Sequence, residues 1–137
     1  MAALTNYLES GLLNHIFRNT VYTASSTLYI GLIKNFILDD IENGIIDEPA
    51  ISRQPYNSNA TNWITPYASG SALATHNTSS IEFPIATTNI GNISGVFIAD
   101  NISSGNVLFY SLLSSPRNIR QNDQFILPSG SLKITFN

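Results

Sequence analysis

From residue 79 onward the chain falls into short apolar runs cut at regular intervals by turn residues, and this punctuation limits its possible folds more than any other feature. Residues 80–83 alternate polar and apolar and stop at Pro84, as an edge strand does. Residues 91–100 (GNISGVFIAD) carry their apolar weight at Val96, Phe97 and Ile98, and Gly105 marks a turn across 101–106. Residues 107–113 (VLFYSLL) form a near-continuous apolar run, expected to be a strand covered on both faces, with 114–121 as a link. Asn122-Asp123 opens a further strand over 124–127, Pro128-Ser129-Gly130 turns the chain, and Leu132, Ile134 and Phe136 alternate with Lys133 and Thr135 in a last half-exposed strand. Runs this short cannot form amphipathic helices, and their spacing predicts antiparallel strands of a sandwich over residues 79–137.

The first half reads differently. Residues 5–18 predict one helix within a 1–19 N-terminal element: Leu4, Leu8, Leu12 and Phe17 fall near one face, and Leu13 and Ile16 widen it. Thr5 suits the N-cap, Glu9 complements the positive end of the dipole, and Gly11 weakens the helix by about 1 kcal/mol relative to Ala. Such a face either lies on the protein's own sheet or docks on a neighbour. Residues 27–33 (TLYIGLI) predict a buried strand, with Gly31 marking a bulge or a close backbone approach. Residues 53–80 are rich in Pro, Gly, Asn, Ser and Thr and read as loop, with Trp63-Ile64-Thr65 as a short strand. Trp63, the only tryptophan, fits a core position better than an interface anchor. The expectation is a mainly β fold: one antiparallel β-sandwich-like domain over 1–137 with one N-terminal α-helix. The 137 residues would bury about 68% of their surface, enough for a core without disulfides.

Composition closes off several functions. There is no cysteine, hence no disulfide, thiolate metal site or thiol nucleophile. Six basic residues scattered through a chain of net charge −3 leave no footprint for a nucleic acid. No apolar run is long enough to cross a membrane as a helix, and residues 1–9 lack the basic and apolar regions of a secretory leader. Seventeen Ser, 11 Thr and 16 Asn replace most of the usual charge, a composition closer to β-rich assembly modules than to enzymes. The sequons at Asn59, Asn77, Asn92 and Asn101 are about what such a composition produces by chance.

No catalytic constellation stands out. His15 and His76 lie in the predicted helix and a polar loop, where capping or solvated roles are ordinary. There is no G-x-S-x-G, H-E-x-x-H, P-loop or G-x-G-x-x-G motif. Asp39-Asp40-x-Glu42 lacks the alternating oxygen ligands and terminal bidentate Glu of a calcium loop. No catalytic residue, cofactor or metal is therefore expected. The aromatics do not interleave with Lys or Arg, so they predict no base-stacking platform.

One segment breaks the neutral pattern. Residues 34–52 hold five of the nine acids, with Asn43-Gly44 as a turn signal. They read as an insertion-like loop or short hairpin, both acidic and apolar: either a solvated loop with some residues tucked in, or a contact element for a partner. The candidate contact residues are Phe36, Ile37, Leu38, Asp39, Asp40, Ile41, Glu42, Ile45 and Ile46.

The start AALTNYLESGLLNHIFRNTVYTASSTLYIGL (2–32) resembles a family of small virion structural proteins of tailed bacteriophages. Further elements follow in the same order: Ser52-Arg53-Gln54, Ile81-Glu82-Phe83-Pro84-Ile85-Ala86-Thr87, residues 91–100, Gly105-Asn106-Val107-Leu108-Phe109-Tyr110, Asn122-Asp123 and Pro128-Ser129-Gly130-Ser131-Leu132-Lys133-Ile134. Members are described as tail-fibre-like or as capsid cement and decoration proteins. The acidic-apolar stretch departs from the shorter, plainer link expected there. The resemblance implies a structural, non-enzymatic protein on the outer surface of the virion. The first expectation is a cement protein clamping neighbouring major capsid proteins, with self-association at a symmetry axis. The second is a tail or fibre-adaptor component, in reach of a host surface glycan. A third class is a non-virion protein, an enzyme included. The chain lacks the long repetitive strands of a fibre shaft.

Overall fold

The computed structural model describes residues 3–136; Met1 and Ala2, where the leader question and the family stretch begin, and Asn137 lie outside them. The chain enters as a short edge strand, β1 (Ala3–Leu4), so Leu4 belongs to a sheet and not to the helix face. Thr5 then switches the backbone. Its extended conformation and its Oγ1, which accepts from the Leu8 amide at 3.4 Å, start α1 (Asn6–Phe17), and Arg18 ends it. The same hydroxyl donates to the carbonyl of Val107, so the cap also ties the helix start to the sheet.

The remaining elements are β2 (Thr27–Ile33), α2 (Leu38–Glu42), β3 (Gln54–Asn57), β4 (Tyr67–Ser69), β5 (Ala72–His76), β6 (Ile81–Glu82), β7 (Gly91–Ala99), β8 (Val107–Ile119), β9 (Ile126–Leu127) and β10 (Lys133–Phe136). They make a five-stranded antiparallel sheet in the order β1-β8-β7-β2-β3, a three-stranded sheet β10-β5-β4 and a two-stranded β6-β9 pair. The fold is mainly β with an N-terminal helix.

Strand alternation gives the large sheet two buried faces. Ile30, Leu32, Val96 and Ile98 point to one side, where they share a core with Leu127 and Ile134 of the two smaller sheets and with Phe83, Phe125 and Leu132 beside their strands. This is the sandwich-like layer that the spacing of strands predicted. On the other side Ile33, Phe97 and Ala99 pack with Ile41 of α2 and with Phe36 and Ile46. The central strands are therefore covered twice, which is why 27–33 and 96–99 are apolar without alternation.

Several expectations need correction. Residues 53–80 contain three strands. The short edge strand β3 needs only Tyr56 inside, and tolerates Pro55 because its outer edge has no strand partner among the described residues; in β5 only Ala74 is buried. So little apolar patterning cannot be told from loop. Trp63 contributes one isolated bridge, to Asn77, rather than a strand. Residues 114–119 are not a link: β8 runs on, with Arg117 opposite Ile93 and Asn118 opposite Asn92. Between Leu112, opposite Gly95, and Arg117 the strand bulges away from β7, and Pro116 sits in that bulge. Nor is β8 covered on both faces throughout, since Leu112 is exposed. The strand over 124–127 shrinks to β9.

Candidate partner-contact surface

Residues 34–47 form a loop closed at its base, where the Lys34 amide donates to the Asp47 carbonyl at 2.8 Å and the Asn35 side chain to the Asp47 carboxylate at 2.6 Å. Its first strand end is fixed by Ser94, whose hydroxyl donates to the Lys34 carbonyl at 2.6 Å. Of the loop and the short hairpin expected, the chain takes the loop, with α2 inside it, and Asn43-Gly44 closes that helix: Gly44 has φ +81° and donates to Ile41, and Ile45 donates to Asp40. Past the loop, Arg53 holds Glu48 through two bonds, Nε at 2.9 Å and Nη2 at 3.1 Å. Its Nη1 donates to the carbonyls of Asn101 and Ser104, and its guanidinium lies 4.9 Å from the centre of the Phe97 ring. Arg53 thus clasps the end of the acidic segment to the turn between β7 and β8.

The nine candidate residues divide. Ile41 is 1% exposed and belongs to the core; Phe36, whose ring centre lies 6.0 Å from that of Tyr110, and Ile46 are half-buried beside it. Asp40 and Glu42 are half-buried, and Glu42 accepts from the Tyr110 hydroxyl at 3.4 Å. Ile37, Leu38, Asp39 and Ile45 face outward, Ile45 at 61% exposure. The inward three fasten the loop and the outward apolar three are left without cover. Burial, then the charge of Glu42 and its hydrogen bond, then the charge of Glu9, push the Tyr110 hydroxyl above its ordinary pKa, so acids of α1 and α2 converge on one spot. An Asn6–Asn43 side-chain bond of 3.1 Å joins the two helices there.

A neighbouring surface was only half legible. On α1 just Leu8 is fully buried, whereas Leu13, Ile16 and Phe17, with Val21 beyond the helix, are exposed, Phe17 at 77%. The helix lies on the sheet by its first turns only, so most of the face expected to be covered is open. The signal was there: apolar residues at both 12 and 13 and at both 16 and 17 exceed one stripe. Sequence gave no warning that Arg117 and Lys133, on β8 and β10, line one cleft.

The histidines sit apart. His15 is exposed and its Nδ1 accepts from the Tyr22 amide at 3.0 Å; His76 Nδ1 donates to the Asn77 carbonyl and its ring abuts Tyr67. Trp63 is half-buried edge-on to Tyr56, with its Nε1 buried and unbonded among the described residues. Asn77, one of the four sequon residues, is wholly buried. Among the described residues no three metal-ligating side chains gather, and no helix is long and apolar enough to cross a membrane.

A family model described as Podophage GP4 fiber I protein gp80 matches residues 3–135. No curated protein matches the chain.

Proposed function

Since the chain belongs to this podophage fibre protein family, a family of small virion structural proteins of tailed phages, we propose that it is a non-catalytic fibre component on the outer surface of the particle, held there through residues 36–46. A structural role in the virion and association with other virion proteins follow from the family. One observation carries the contact role: Ile37, Leu38 and Ile45 stay exposed beside Asp39 on a loop whose base, core and end are all fastened. A solvated insertion has no need of such anchoring. A rigid apolar patch rimmed by acids suits a partner surface, where the apolar part gives affinity and the acids set register. The family's description as a fibre protein supports the fibre reading taken here.

The test is a phage carrying Ile37→Asn, Leu38→Asn and Ile45→Asn together, with copies per particle counted by quantitative mass spectrometry. All three side chains face outward, so the fold should survive, as thermal unfolding of the purified chain will check. Copy number should fall at least tenfold. Wild-type occupancy by a folded variant would refute the contact role.

A further inference from the structure

The five-stranded sheet carries the acidic loop on one face, where Ile41 packs with Phe97 and Ala99, and a cleft of about 720 Å³ on the other, where it reaches Val96. We infer that this cleft is a binding site for an anionic oligosaccharide, a chain of sugar rings that bears carboxylate or phosphate groups. Leu112 and Arg117, on either side of the β8 bulge, line it, together with residues of β4, β9 and β10. Its volume falls within the roughly 300–1,000 Å³ of ordinary ligand sites and leaves room for more than one sugar ring. Because the loop lies on the opposite face, the cleft stays open when the loop is engaged.

The donors in the cleft select for an anion. Among the described residues that line it there is no Asp, Glu, Asn or Gln, so its side chains offer two cations and a set of hydroxyls. Arg and Lys only donate, and hydroxyls both donate and accept, so the ligand that satisfies them is rich in acceptors. Both cations are positioned over rings. The Arg117 guanidinium lies 5.7 Å from the centre of the Phe125 ring, and the Lys133 ammonium 5.9 Å from that of Tyr67. Two of the six basic residues thus share one cleft in a chain of net charge −3.

The hydroxyls and the apolar patches select for a sugar. Lys133 donates to the Ser69 hydroxyl at 2.7 Å, which leaves that hydroxyl its own proton to give. The Ser131 hydroxyl donates to the Pro128 carbonyl at 2.7 Å and so presents its lone pairs. The exposed Leu112 stands among these polar groups, and a sugar ring matches such a wall because it carries C–H faces and hydroxyls side by side. A second cleft, of about 380 Å³, has the opposite character: Trp63, Leu73, Phe109 and Phe136 line it with almost no polar group, which suits an apolar ligand.

Titration calorimetry on the full chain tests the site with four probes: trigalacturonic acid, mannose 6-phosphate, neutral maltotriose and a pentaglutamate peptide. At least one of the two anionic sugars should bind at least tenfold more tightly than maltotriose and than the peptide, and which one binds names the carboxylate or the phosphate as the recognised group. Binding should weaken severalfold between about 20 and about 200 mM salt, as screening predicts. Arg117→Gln with Lys133→Gln, checked for folding by circular dichroism, should weaken it at least tenfold. Arg18→Gln, which removes an exposed cation outside the cleft, should leave it within twofold. If the double variant does not fold, Lys133→Gln alone should weaken binding at least threefold. Amide resonances of residues 111–117 and 131–135 should shift on binding. No preference for either anionic sugar over maltotriose, equal losses in the cleft and Arg18 variants, or shifts confined to other residues overturns the inference. Pentaglutamate bound as tightly as the sugars also overturns it, since the cleft is then a site for an acidic peptide.

Discussion

Gly31 is the point where β2 allows the Phe97 ring of β7 to cross it: a Cβ placed there would lie 2.2 Å from the Phe97 ring. Phe97 is wholly buried and cannot swing aside. Gly31→Ala should therefore cost about 3 kcal/mol in urea unfolding, at the upper end of overpacking, and Phe97→Leu in the same chain should recover part of it. An unchanged midpoint would mean that the two strands do not meet here. Asn77 has an equally exacting role. Its Oδ1 accepts from the Leu132 amide at 2.9 Å, and its Nδ2 donates to the Ser79 and Pro128 carbonyls at 2.8 and 3.0 Å. Asn77→Asp turns an oxygen toward those carbonyls and buries a charge, so it should cost about 3–5 kcal/mol at neutral pH and recover in acid as the carboxyl is protonated. Stability equal to wild type at neutral pH would contradict the network. The Gly31 constraint could be read from a lone glycine within an apolar strand. The Asn77 constraint could not: it joins segments 51 to 55 residues apart, and in sequence it is one of 16 asparagines.

Elements differ in how much of themselves they disclose. α1 announces its ends through Thr5 and Arg18, but its docking depends on where β8 passes, and only the first turns meet it. The contrast can be measured on the dilute isolated chain. Leu8→Asp buries an unpaired charge and should cost about 3–5 kcal/mol, whereas Phe17→Asp should stay within about 0.5 kcal/mol. Equal costs would mean that the helix is covered along its length, or not at all. β7 and the first part of β8 are legible because they are buried on the inside of the sheet; β3, β4 and β5 are not, because edge strands and a hairpin with one buried alanine need little apolar pattern. The polar end of β8 is held by its ladder to residues 91–93, which sequence periodicity does not record.

At the scale of the molecule, one chain carries two unlike surfaces on opposite sides of a doubly covered sheet. It exposes 7940 Å², against roughly 7,000 Å² for a monomer of this mass. The surplus agrees with the uncovered apolar residues of the loop and of α1, and with a protein shaped for neighbours. The acidic-apolar segment could be singled out in the sequence because its charge departs from everything around it. Which of its residues turn outward could not, since Phe36, Ile41 and Ile46 are as apolar as Ile37, Leu38 and Ile45, and only the position of Phe97 and Tyr110 separates them. The cleft was hidden for the same reason: Arg117 and Lys133, which line it, lie 16 residues apart in sequence on two different strands. A cryo-electron microscopy map of the virion, at a resolution that traces side chains, tests the central claim most directly. It should place the chain in the fibre apparatus with Ile37, Leu38 and Ile45 buried against a neighbouring chain; copies on the capsid shell, or those three side chains facing solvent in every copy, would contradict it.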